Sequence, residues 1–598
     1  LALLARFRAT NCFYHLSRIN RWLLKDFKMT FLACCLLLFS LNCASQKHYT
    51  PRPLITEEKD ANPIAKPKEN KLGLYEDAID KIFGHEIDEF VNIPWHLRKV
   101  TNNHKQAKNV NAFDEVPNST WFANRNGKHR MSLEEIRRGP NRSSGPDVTG
   151  PFTIIGAKVQ GVTPGCIIKD SQGDIYITKF DSKGFPQLTT AAEVITTKFV
   201  YAAGYNTPEN YLCIIDPKQL RIGENVLVKN RWGRDVPMTF DYVQKILDKA
   251  EANPDGTYRV MASKLLDGEI VGPFRFNKVR KDDPNDHIPH HHRRELRGYK
   301  VIAAWLNIFD TKASNTLDVY VSENGKRFVC HYFIDFGTSL GSAAAGPAGR
   351  ARGHEGAFDL GKMFLKIITL GLWVQPWEKQ PRFISPSVGY FESKLFNPGT
   401  YKFIIPNPAF QKATELDGFW AAKIVMSFTD EQVRAVVETG KYSNPEDKEY
   451  VIKTLIERRD KTGCYWYSKV NPLDNFRFVS NDNDRQAIEF DDLAVKAGFQ
   501  RLSETHYRYK LNYLGKSLTD YFTTKARTFI PIDSDIQQVM QQLFLNKQNL
   551  REEEKIFTFS IETKRGEHGS WGKYVKVHFY YPMTHDKEAQ IIAIEREN

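Results

Sequence analysis

The segment Asp310-Thr-Lys312-Ala-Ser-Asn315 sets a carboxylate, an ammonium and an amide in one short loop, and Asp335-Phe-Gly337 adds a second carboxylate downstream. These are the group types needed to pass a phosphoryl group from a nucleotide to an acceptor. In that reaction a protein mostly positions reactants and stabilises charge. One carboxylate must orient the acceptor hydroxyl. A second carboxylate and an amide oxygen must hold a hard divalent cation, Mg2+ or Mn2+, which prefers oxygen ligands. A cation must hold the nucleotide phosphates, and a carboxylate on a neighbouring helix must orient that cation.

Those parts need elements to carry them. From residue 152 the apolar period is two, so 153–159, 166–169 and Ile175–Phe180 read as strands, with turns at Gly161-Val-Thr-Pro164-Gly165 and Ser171-Gln-Gly173-Asp174. Gly161 and Gly165 lack side chains and so can approach a phosphate closely. Lys179 falls on the third strand. Ala192, Ile195, Phe199 and Ala202 recur at helical spacing, which predicts a helix over 189–203 carrying Glu193 within reach of Lys179. Tyr211–Ile215 and Tyr258–Lys264 are strand-like, giving a small antiparallel sheet crossed by one helix. A strongly apolar stretch predicts a helix over 293–309, directly before Asp310. The strands 316–321 and 327–334 flank Ser322-Glu-Asn-Gly325, a hairpin signal that sets Asp335 at a strand end.

In this order the parts resemble the protein-kinase-like superfamily, nearer its atypical branches (HipA-type and phosphatidylinositol-kinase-like) than typical Ser/Thr kinases. The resemblance implies an α+β, two-lobed protein-kinase-like fold binding ATP with Mg2+ or Mn2+. It implies Lys179 as the phosphate-binding lysine with Glu193 as its partner. Asp310 becomes the base, Lys312 a charge stabiliser, Asn315 and Asp335 the metal ligands, and Leu266 part of the adenine hinge. Gly161 and Gly165 would cover the phosphates. The pattern also departs from the family: Ile308-Phe309 stands where His-Arg would precede the base, and the glycine turn is short and holds Pro164. The acceptor is left as a hydroxyl on protein, lipid or a small molecule. A catalytically inactive kinase-like binding protein is the alternative reading.

The remaining sequence bounds the rest. At 598 residues the chain has room for two or three domains, and 41% apolar content supports a sizeable core. The formal charge of +13 suits an anionic ligand or surface, but no long Lys/Arg run points to nucleic acid. Cys166, Cys213, Cys330 and Cys464 form no CxxC pair and read as small buried hydrophobes. His287, His290, His291 and His292 match no zinc pattern and read, with Arg293 and Arg294, as a solvated loop. Trp121 reads as core.

Residues 30–41 are a short apolar run of signal type, with Met29 a natural start and Cys43 at its end. This resembles a bacterial lipoprotein signal, which implies lipidation at Cys43 and a lipid-anchored chain in the cell envelope. Residues 46–72 then read as a polar tether and 73–150 as an extension packing on the core. The N-lobe is expected over 151–270 and the C-lobe over 271–479, with helices near 358–372, 417–426, 429–439 and 445–460. Residues 337–357, rich in Gly and Ala, are expected to be a mobile loop. A β-rich C-terminal module is expected over 480–598, with strands at 507–513, 556–562 and 573–581.

Overall fold

The computed structural model describes residues 49–70, 104–158, 163–230, 232–356, 366–370, 372–480, 486–545, 551–582 and 588–597. The apolar run 30–41, Met29, Cys43, Gly161 and most of the helix expected over 358–372 lie outside the described residues.

Helix α1 (Leu133–Arg138) opens on a capping box, Ser132 and Glu135 each bonding the other's backbone N–H. The alternating stretch that follows builds β1 (Phe152–Ala157), β2 (Cys166–Lys169) and β3 (Ile175–Phe180). Helix α2 (Leu188–Ala202) crosses next, and every residue of it except Tyr201 is buried. Then come β4 (Asn210–Ile215), β5 (Leu220–Ile222), the small hairpin β6 (Leu227–Lys229) and β7 (Asp235–Pro237), helix α3 (Phe240–Leu247) and β8 (Tyr258–Lys264). The main sheet runs β4-β8-β3-β2-β1-β5. The β1–β5 pair is parallel, so the sheet is mixed where an antiparallel one was expected.

Strand β9 (Glu269–Gly272) joins a second sheet with β10 (Thr316–Glu323) and β11 (Lys326–Phe333). Asn324 and Gly325 both take positive φ in the β10–β11 turn, the geometry a tight two-residue hairpin demands. Helix α4 (Arg294–Trp305) stops short of the expected 309. Asn307 sits at φ +55, Asn307 N donates to Ala304 O and Ile308 N to Ala303 O. This paired cap lets Asn play the role usually taken by glycine, and it turns the chain out toward Asp310. Helices α5 (Glu415–Met426), α6 (Asp430–Glu438) and α7 (Pro445–Tyr467) complete the lobe. Its core unites Leu296, Ile302, Trp305, Trp420 and Leu455 with Ile195 and Phe199 of α2, so that helix belongs to both lobes.

The C-terminal module begins at β12 (Leu473–Ser480), before the boundary expected at 480. β12, β13 (Gln486–Asp492) and β17 (Phe529–Ile532) form one sheet. The other sheet runs β15 (Lys516–Ser517), β14 (Thr505–Tyr513), β18 (Ile556–Arg565), β19 (Tyr574–Tyr580) and β20 (Gln590–Arg596), with β16 (Phe522–Lys525) also pairing with β14. Helix α8 (Ser534–Leu545) lies between the two in sequence. Their shared core is separate from those of the preceding sheet and helices.

Three expectations need correction. The tether expected over 46–72 is, from 49 to 70, a packed strap. Ile64 N bonds Arg327 O at 2.9 Å, Asn70 N bonds Val271 O at 2.9 Å, and buried Asp60 accepts from the Thr120 hydroxyl at 2.7 Å. The strap's polar residues have partners in the body, which composition does not show. The loop expected over 337–357 is well anchored over its described part: Ser339 and Ser342 are fully buried, and Leu340 N bonds Leu306 O. The histidine–arginine segment is solvated at His287, half-buried at His291 and His292, and interior at His290, Arg293 and Arg294. His290 pairs with Asp286 at 2.7 Å, and Arg293, Arg294 and Arg297 are buried beside Glu58, Glu295, Asp114 and Asp417. Trp121 is core, as expected, and stacks on His331 at 3.4 Å. The four described cysteines are free; Cys166 and Cys330 are buried and Cys464 is exposed.

Candidate functional site

Strand alternation turns Tyr176 and Phe180 into the sheet's own core and leaves Lys179 on the face toward α2. Lys179 Nζ pairs with Glu193 Oε1 and lies 2.7 Å from Asp335 Oδ1. Thr189, Glu193 and Thr196 are spaced to share one face of α2. All three hold the chain that follows Asp335. Thr189 Oγ1 donates to Ala344 O at 2.7 Å, Glu193 Oε2 accepts from Phe336 N at 3.0 Å, and the Thr196 and Ser339 hydroxyls are 2.7 Å apart. Phe336 is buried in the lobe core, and Asp335 sits at φ +60, a costly conformation for a residue with a side chain.

On the other side, the loop after α4 presents Asp310 and Lys312, whose side chains bond at 2.7 Å. Asn315 Nδ2 donates to Asp310 O at 2.8 Å, which fixes the loop and leaves the amide oxygen as the free acceptor. Ile334 N bonds Asn315 O at 3.0 Å, so the two motifs are tied by backbone as well. Asp310, Lys312, Asn315 and Asp335 line one small cavity of about 10 Å³. The buried Thr311 hydroxyl on the same wall has no hydrogen-bond partner among the described residues.

The two carboxylates beside Lys179 behave oppositely for a physical reason. The side chain of Asp335 is 41% exposed, so the lysine's charge dominates and holds its carboxyl down at about 2. The side chain of Glu193 is 1% exposed, so loss of hydration dominates and pushes its carboxyl up despite the same lysine. Burial works against the Lys179 ammonium, but Asp335 and Glu193 outweigh it and hold the lysine above its ordinary range.

The structure therefore brings Lys179, Glu193, Asp310, Lys312, Asn315 and Asp335 together. The cavity lining includes neither Gly165 nor Leu266, nor Lys179 and Glu193, and Gly165 lies beside Thr178 and the Lys158 side chain. A Cβ on Gly165 would lie 2.1 Å from Thr178 O, so this glycine is explained by packing of its turn on β3. Leu266 packs against Val319, Val321, Phe328 and Cys330 of the neighbouring sheet. Sequence reading missed Lys158, just past the end of β1. Burial, then repulsion from Lys179, brings its ammonium down to about 8, and its Nζ contacts Thr163 O at 3.3 Å. A lysine closing a strand before a glycine turn was the available signal. Among the described residues no cluster of three His, Cys, Asp or Glu could hold a metal. Two oxygen ligands still suit Mg2+, which keeps waters and takes substrate phosphates as further ligands.

No protein-family model matches the chain, and a comparison with curated proteins finds no match. Among solved structures it is similar to the Helicobacter pylori proinflammatory kinase CtkA, with 13% identity, 52% of this chain and 94% of that chain covered, and a TM-score of 0.28. It is also similar to the Golgi casein kinase with Mn/ADP bound, with 8% identity, 68% and 96% covered, and a TM-score of 0.24. Both superpositions are loose overall. The element order brings together a strand lysine, a crossing-helix glutamate, and two acidic loops flanking a hairpin. The fold is α+β, with a β-rich C-terminal region.

Proposed function

We propose that the chain is an atypical kinase-like phosphotransferase acting on Mg-ATP or Mn-ATP and a hydroxyl acceptor. One observation carries the proposal: Asp310, Lys312, Asn315 and Asp335 line a single cavity, and Asp335 is ion-paired to a lysine anchored by Glu193. In this reading Asp335 and the Asn315 amide oxygen hold the divalent ion, which neutralises charge on the phosphates. Lys179 and Lys158 supply positive charge to the nucleotide. Asp310 accepts the acceptor's proton as the acceptor oxygen bonds to the γ-phosphorus and the bridging P–O bond to ADP breaks. Lys312 offsets charge on the transferring group.

A second reading, a kinase-like binding protein without turnover, draws on the direct Lys179–Asp335 contact at 2.7 Å, which occupies both groups with each other. Thermal shift and γ-phosphate transfer separate the two readings. Phosphotransfer predicts stabilisation by Mg-ATP that is lost in Lys179→Ala, and labelling lost in Asp310→Ala with the stabilisation retained. Stabilisation without any labelling, or no stabilisation by Mg-ATP, would support the binding reading and remove phosphotransfer. Lipid attachment at Cys43 is part of the proposed envelope location; fatty-acid labelling of the chain that is lost in Cys43→Ala would support it.

A further inference from the structure

Between the loop that follows Asp335 and α5 the chain exposes an unusual run of apolar side chains. Ile367, Ile368, Leu370, Leu372, Trp373 and Val374 are 67, 61, 90, 85, 40 and 45% exposed. Scattered exposed leucines need no explanation, but a contiguous set of large apolar groups marks an interaction surface. The segment is fastened to the body around its base. Arg350 Nη1 donates to the carbonyls of Glu378 and Gln380 at 2.6 Å each, His354 stacks on Trp377 at 4.8 Å, and Phe383 meets Phe185 edge-on at 6.3 Å. Phe185 belongs to the connection between β3 and α2, and Arg352 lies over the Phe309 ring next to Asp310. The apolar run thus rides on the same framework as the candidate site.

We infer that this segment is a membrane-docking surface that enters the interface of a bilayer with anionic headgroups. Charge separates a bilayer from a protein partner. Glu378 is the one acid between 366 and 383, and its carboxylate is taken up by Lys366 at 2.6 Å. Lys379 and Arg382 are exposed at the base of the run. Apolar tips, an exposed tryptophan among them and exposed cations behind them are the ingredients of interfacial binding to an anionic surface. The chain's formal charge of +13 acts in the same direction. The inference does not depend on phosphoryl transfer, nor on lipid attachment at Cys43.

The test uses the full chain carrying Cys43→Ala, with vesicles of phosphatidylcholine alone or mixed with phosphatidylglycerol. The parent should sediment with the anionic vesicles. Leu370→Asp with Leu372→Asp should lower that partition more than about tenfold, at unchanged Tm, because both side chains are exposed. Lys379→Ala and Arg382→Ala should each lower binding to anionic vesicles by about fivefold and leave neutral vesicles unaffected. Brominated lipid should quench a fluorescence component that is missing in Trp373→Phe, which reports this segment alone. Equal sedimentation of the Leu370→Asp, Leu372→Asp variant, or an unquenched Trp373, would overturn the inference. So would conversion of a self-associated parent to monomer by the same variant, since a second copy would then be the occupant.

Discussion

Replacing Lys179 with Met probes the candidate site through stability, without any assumption about its substrate. The change removes the one cation between Glu193 and Asp335 while keeping most of the side-chain volume. Removing one partner of a buried ion pair typically costs about 3–5 kcal/mol, because the other charge is stranded. Asp335, 41% exposed at its side chain, can take water in place of the lysine. Glu193, at 1%, cannot, though it keeps the Phe336 N–H at 3.0 Å. The low end applies, about 3 kcal/mol, against a total of about 5–15 kcal/mol for a typical domain.

The penalty should also depend on pH. Burial already raises the Glu193 carboxyl, and the lysine is the main influence holding it down. Without Lys179 it rises further, and Glu193 folds with a proton over a wider range. A carboxyl raised on folding contributes stability that is fully present below its unfolded value, about 4.3, and is lost as pH rises through the folded value. The penalty of Lys179→Met should therefore be smaller near pH 5 than near pH 8. Urea unfolding followed by tryptophan fluorescence at both pH values measures it. Adding Glu193→Leu should recover most of the loss, since no buried charge is then left without a partner. A penalty below about 1 kcal/mol, one that does not change with pH, or a double variant no more stable than the single would refute this account.

Two further substitutions test how the parts are held. A Cβ at Gly337 would lie 3.0 Å from Glu193 Oε1 and 3.3 Å from Thr189 Cγ2, both on a buried helix face. Gly337→Ala should cost about 1–3 kcal/mol and weaken Mg-ATP stabilisation along with it; an unchanged Tm and an unchanged ligand shift would show that α2 yields freely. Asp417 is fully buried and accepts from Arg294 Nε and Arg297 Nη1 at 3.1 Å each. Arg294 keeps Asp114, but Arg297 is left with carbonyls and His292. Asp417→Asn should therefore cost about 3 kcal/mol in chemical denaturation, and a loss within the range of surface substitutions would mean the cluster hydrates.

What could be read in the sequence, and what could not, divides on the distance between partners. Lys179, Glu193, Asp310, Asn315 and Asp335 were legible because each sits on an element announced locally: an alternating strand, a helical period, a tight Asn-Gly turn. The hairpin that presents Asp335 needs nothing outside residues 316–333 to be recognised. The strap over 49–70 and the arginines of α4 carry equally definite roles, yet the residues that bury them are far away in the chain. Arg293 meets Glu58, and Arg294 meets Asp417. A polar residue is hidden only when a complementary group is brought to it, because burying an unpaired charge is prohibitive. Local composition therefore reads such residues as solvated. The same reasoning explains the Gly- and Ala-rich segment after Gly337. Its small side chains promised few contacts, but smallness is what lets Ala344 O lie against the Thr189 hydroxyl and the Ser339 hydroxyl against that of Thr196. The acidic loop is thereby clamped to the helix that orients Lys179, so a change that loosens α2 must also displace Asp335.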